Sequence, residues 1–232
     1  MITSYPGCLH GLDVKMSKLS QRKERWSSLK VMSLDPSASK TESNARPLAA
    51  RLDPALISRL REALPRIREW ILRYTESTAS QAVTVASLSV PGLDRCYSKE
   101  LLESTRVVLT DQICYPPLDQ LGLGEFKALS AIPWGGITYN DIYFLRRDLA
   151  SPSLHFHELV HVVQYKRLGV DRFLWAYGLG LALHGYEDSP LEKMTYDFQL
   201  EFEYGIYRRS LLVDIERRTD IIWQEVSLQA GN

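Results

Sequence analysis

Two histidines four residues apart inside an apolar run set the strongest limit on how this chain can fold. The run reads His157-Glu158-Leu159-Val160-His161-Val162-Val163. On an α-helix, residues i and i+4 lie on one face, one turn above the other. Leu159, Val160, Val162 and Val163 fill the other directions, which embeds the helix in a core. Strict alternation is absent, so a strand is a poor host for this segment.

The spacing has a chemical meaning. Two imidazoles on one helical face can reach a single Zn²⁺ at about 2.0–2.1 Å. Glu158, next to the first histidine, is placed to take a proton from a zinc-activated water, whose pKa the metal lowers towards ~7. The composition gives roughly 0.007 chance matches to HExxH per chain, so the motif carries weight. Four of the five histidines, His155, His157, His161 and His184, lie within 30 residues. His155 stands two before the first ligand candidate and points elsewhere on the helix.

A catalytic zinc takes three protein ligands and keeps one open position. The extended pattern HExxHxxGxxH fails, because positions 164 and 167 are Gln and Arg. The third ligand must come from further along, and His184, Glu187, Asp188, Glu192, Asp197 and Glu201 are candidates. Glu192 is favoured, in the first turn of a helix that a short return folds over the first. The competing reading of Glu192 is a capping box, Ser189-Pro190-Leu191-Glu192. Glu187 and His184 are the reserves. Gln164, seven after His157, lies on nearly the same face and can hydrogen-bond a loop near the site.

Around this motif the pattern changes from strands to helices, which predicts an α+β fold. Asp53-Pro54 caps and opens a helix whose stripe is Leu56, Leu60, Leu64, Ile67, Ile71 and Tyr74. Pro65 is expected to kink or split it. A short helix is expected at Ser98–Glu103 and a strand at Arg106–Thr110. Gly136–Leu145 reads as a hairpin turning at Asn140-Asp141. Ser151 or Ser153 caps the HExxH helix, which runs to about Arg167. A second apolar helix spans about Asp171–Leu183. A third starts at Ser189-Pro190 and runs to about Arg218, with Gly205 as its candidate break. Trp70, Trp134, Trp175 and Tyr177 read as packing residues.

Composition excludes several classes. Lys+Arg and Asp+Glu are both 28, so the chain has no net charge and no field to hold a nucleic acid. The balance hides an asymmetry. Residues 1–52 carry nine basic and four acidic residues, are rich in Ser, and read as a disordered basic tail or linker. Residues 53–232 carry 19 basic and 24 acidic residues and form the folded domain. Cys8, Cys96 and Cys114 are odd in number and not spaced CxxC, which argues for a reducing compartment. The longest uncharged apolar run, Phe173–Leu183, is 11 residues, against ~20 for a membrane span. The start lacks a leader pattern. A cytoplasmic location is expected, with export of an effector by another route also open. Oligomeric state is not specified by any of these features.

His157–Gln164 (HELVHVVQ), a helical spacer, Ser189-Pro190-Leu191-Glu192 and Tyr196 together resemble bacterial zincin-like metallopeptidase domains. These are of the Glu-zincin type associated with extracellular contractile injection systems. The likeness covers about residues 105–200. That family reads HELxHVxQ and later NPxExEAY; here Ser189 replaces the Asn and Met194-Thr195 the Glu-Ala. The resemblance implies zinc held by His157, His161 and Glu192, with Glu158 as general base. Tyr196 stands where many thermolysin-like enzymes carry an acid, so Asp197 or a backbone carbonyl is expected to orient the first histidine. Tyr186, His184 and Tyr196 are candidate donors to the oxyanion. The expected function is zinc-dependent hydrolysis of peptide bonds in a peptide or protein substrate. The alternative is an inactive zinc-binding or protein-interaction module.

Overall fold

The computed structural model describes residues 53–132 and 134–229. The basic tail expected over residues 1–52 lies outside the described residues. Helix α1, Pro54–Ser77, opens where expected: Asp53 Oδ1 accepts a hydrogen bond from the Ala55 N–H at 2.9 Å, and Pro54 fills the first helical position. It runs through Pro65 without splitting. Pro65 is exposed, so water can serve the carbonyl whose helical partner proline removes. The expected stripe is the buried one, with Leu60, Ile67 and Ile71 in the core.

The sheet is small and mixed. Its strands are β1 (Val83–Thr84), β2 (Arg106–Thr110), β3 (Gly136–Tyr139) and β4 (Ile142–Arg146), in the order β1-β2-β4-β3. The short helix α2, Lys99–Ser104, precedes β2 and is capped by Ser98 Oγ, which accepts from Leu101 N–H. Strands β2 and β4 are parallel, with Val107 opposite Tyr143 and Val108 opposite Phe144. Strands β3 and β4 form the expected antiparallel hairpin, with Thr138 opposite Tyr143. Its turn places Asn140 at φ 59°, a left-handed conformation that asparagine tolerates. Strand β3 is the edge of the sheet nearest the histidine motif.

Helix α3, Pro152–Leu168, is the centre of the molecule. Ser151 caps it, accepting from Leu154 N–H at 3.2 Å. It packs on β3 and β4 on one side and on three later helices on the others. From His155 to Tyr165 every residue is buried. Helix α4 (Val170–Asp188) reaches beyond the expected Leu183, but Gly185 at φ 72° breaks its helical path. Helix α5 is Pro190–Glu203 and helix α6 is Leu211–Gln229. The single helix expected from Ser189-Pro190 to Arg218 is therefore two. The chain turns between them with Gly205 at φ 69°, a conformation that costs glycine little. The fold is α+β. No helix among the described residues is long and apolar enough to cross a membrane.

Candidate metal centre

Helix α3 delivers His157 and His161 to the same side, and the first turn of α5 delivers Glu192 to meet them. All three are buried, at 4, 5 and 2% exposure, as is Glu158 at 3%. The two Nε2 atoms are 3.2 Å apart. Glu192 Oε2 lies 3.5 Å from His157 Nε2, and Oε1 lies 3.4 Å from His161 Nε2. These separations match the ~3.3 Å edge of a tetrahedron of ligands around zinc at ~2.05 Å. The three residues form a group that could hold a metal ion.

The outer nitrogens of both histidines are fixed by glutamines. Gln199 Nε2 donates to Ser153 Oγ at 2.8 Å, which turns its carbonyl towards His157 Nδ1, also at 2.8 Å. Gln164 Nε2 donates to the Leu191 carbonyl at 3.2 Å and to Thr195 Oγ1 at 3.1 Å, leaving its Oε1 for His161 Nδ1 at 2.8 Å. A carboxamide oxygen only accepts, so each Nδ1 carries a proton and each Nε2 faces inwards as the nitrogen available to an ion. Two ring nitrogens and a carboxylate then face one point. Glu192 Oε1 accepts from Tyr177 O–H at 2.7 Å, but Oε2 is buried with no hydrogen-bond partner. Such a cluster calls for a cation. The donor set and the orphaned oxygen fit a divalent metal.

Among the protein's own groups, a proton on His161 supplies that charge. Burial alone would lower the pKa of His161; the Glu192 carboxylate overrides it and pushes it up to about 9. Burial would raise Glu192, and the two histidines instead hold it well below the usual carboxylate range. Burial also raises Glu158, against opposition from His157, His161 and the Thr138 hydroxyl. Thr138, on strand β3, donates to Glu158 Oε2 at 2.7 Å. The adjacent Gly136 has no side chain for a steric reason. A Cβ there would collide with Glu158 Oε1 and lie 2.7 Å from Leu145 Cδ2.

The remaining candidates are placed elsewhere. His184 and Asp188 are exposed near the end of α4, and the side chain of Glu187 lies outside the described residues. Glu201 pairs with Arg208 at 2.5 Å. Asp197 does not orient His157: it pairs with Arg218 at 2.9 Å, on another side of α5. Gln199 does that work, and its signal was spacing, since position 199 is seven after Glu192 and shares its face. Gln164 bonds His161 and α5 rather than a loop. The capping box does not form, because Ser189 makes no side-chain cap and the Glu192 carboxylate faces the histidines. Tyr186 and Tyr177 line the cavity beside the histidines. The Tyr186 and Tyr196 hydroxyls are 3.3 Å apart. His155 faces away and bonds Tyr143 O–H through Nδ1 at 2.7 Å. No family model, curated protein or solved structure matches the chain.

Proposed function

We propose that the chain is a zinc-dependent metallopeptidase with Glu158 as general base. The observation that carries this reading is the buried, unpartnered Oε2 of Glu192, set opposite the inward nitrogens of His157 and His161. His157, His161 and Glu192 would hold the ion. When bound, zinc supplies Lewis acidity, which makes water a nucleophile near neutrality and polarises a carbonyl. Two histidines and one carboxylate also suit ferrous iron. A second carboxylate beside the first histidine favours the hydrolytic reading.

The chain's own residues divide the rest of the work. Gln199 and Gln164 accept from the Nδ1 atoms and so aim both Nε2 atoms inwards, where a bound ion would take the place of the proton that His161 otherwise carries. Glu158 accepts a proton and passes it to the leaving amine, and its raised pKa brings that exchange nearer to neutral pH. Thr138 fixes one oxygen of Glu158 and leaves the other, Oε1, beside Gly136. Strand β3 is a sheet edge, which suits pairing with an extended peptide. Tyr177 O–H is committed to Glu192, and Tyr186, which lines the same cavity, is the candidate donor to a developing oxyanion.

The test is Glu158→Gln in the full chain. Hydrolysis of a peptide library should fall by about 10²–10⁴-fold, while zinc content stays near that of the wild type. Hydrolysis that survives the change removes Glu158 as base. Retained zinc with no hydrolysis by the wild type leaves a metal-binding module without enzymatic activity.

A further inference from the structure

His157, Glu158, His161 and Glu192 line a cavity of about 140 Å³. The rest of that cavity is chemically different. Its wall is built from Leu64, Ile67 and Ile71 of α1, Leu118 and Leu129 of the segment before β3, and Leu181 of α4. Among the described residues no lysine, arginine or aspartate lines it, and the carboxylates that do are Glu158 and Glu192. Several polar atoms in the wall are already engaged. Tyr139 O–H donates to the Cys114 carbonyl at 2.9 Å, Trp134 Nε1 to the Leu129 carbonyl at 3.0 Å, and Tyr177 O–H to Glu192. An apolar cavity of ~150 Å³ stays dry and accepts a guest the size of benzene.

We infer that this cavity is a specificity pocket taking one bulky, uncharged side chain, of leucine or phenylalanine class, from the residue adjoining the bond to be cut. The inference rests on the metallopeptidase reading for its chemistry. Its wall does not, since α1 lies outside residues 105–200 that carry the family resemblance. Because His157, Glu158, His161 and Glu192 line the same cavity, a side chain seated there brings its own backbone to the centre. A carboxylate side chain would be desolvated with no lysine or arginine to pair with. Glycine would forgo the apolar burial altogether.

Amino-acid hydroxamates test this, because they join a metal-chelating head to a chosen side chain. With the zinc-loaded full chain, leucine and phenylalanine hydroxamates should bind roughly 10- to 100-fold more tightly than glycine hydroxamate. Aspartate hydroxamate should bind no better than glycine hydroxamate. Leu64→Phe and, separately, Leu181→Phe narrow the pocket and should erase the phenylalanine advantage while glycine hydroxamate binds as before. Equal binding of all four would overturn the pocket and leave the metal centre intact. If no hydroxamate binds in a zinc-dependent way, the metallopeptidase reading fails instead. Toluene binding to the metal-free chain, followed by methyl NMR, then decides the pocket alone. Binding weakened by Leu64→Phe upholds it, and no binding overturns it.

Discussion

Helix α3 buries His155 and His161 within two turns of each other, and the two histidines respond in opposite ways. His155 meets only the Tyr143 hydroxyl, and desolvation lowers its pKa to about 4. His161 meets a carboxylate, and its pKa rises to about 9. Burial is common to both, so burial does not set the outcome. The partner brought by a distant segment does. One face of α3 is thus held by a neutral hydrogen bond and the other by a charge cluster. A polar residue in a core becomes a site only when a second charge is delivered to it.

The strongest way to break this contrast is Glu192→Ala. It should make His161 resemble His155, with a pKa falling below ~6.5, and should abolish stoichiometric zinc. Metal analysis after dialysis and histidine NMR titration read the two effects. Zinc retained at wild-type affinity would exclude Glu192 as a ligand. Gln199→Ala is a milder blow to the same face. Losing the group that orients a ligating histidine should weaken zinc binding by about 10–100-fold without unfolding the protein; a chelator competition measures it. Unchanged affinity would assign Gln199 to packing alone.

A change on the opposite face sharpens the contrast. Tyr143→Phe strips His155 of its partner and should destabilise the fold by about 1–3 kcal/mol, measured by denaturant unfolding. Zinc affinity should stay the same, and a parallel loss of zinc would show that the two faces are coupled.

Titration gives the gentlest separation. In the metal-free protein the folded pKa of His161 lies above its ordinary value. Its contribution to stability is therefore present below about pH 6.5 and is lost as pH rises through about 9. His155 has the reverse sign. Its contribution is present above about pH 6.5 and is lost as pH falls towards 4. Thermal melts of the metal-free chain should peak near neutrality, and Glu192→Ala should flatten the alkaline side while also removing, below about pH 4.5, the share of the acid side that Glu192's own lowered pKa supplies. Zinc must displace the His161 proton, so its apparent affinity should rise about tenfold per pH unit up to about pH 9. A pH-independent affinity would mean that no proton leaves.

How much of this could be read beforehand follows from range. The helix start at Asp53-Pro54, the Asn140-Asp141 turn and the shared face of His157 and His161 are local, set within a few residues. The residues at 157, 161 and 192 were also legible as a group, because a short helical return leaves few places from which a third ligand can come. Partnerships across helices were harder. Asp197 and Gln199 both lie within about two turns of Glu192, and charge pointed to Asp197. The rotation of α5 settles the matter, sending Asp197 to Arg218 and Gln199 to His157. That rotation depends on which residues of α5 pack on α3, a property of the assembled core. The break after Glu203 was equally ambiguous, since a glycine inside a helical pattern is compatible with both continuation and a turn.

Glu192, Thr195 and Gln199 share one face of α5, and between them they reach His161, Gln164 and His157. Seven residues of helix span about 10 Å, so α5 works as a rigid ruler laid along α3. Tilting or sliding that ruler would release the ligand and both histidine supports together. The ligand and the supports are therefore placed by one register, and an insertion of a single residue between positions 192 and 199 would turn Glu192 and Gln199 about 100° out of phase, so that one of them leaves the histidines.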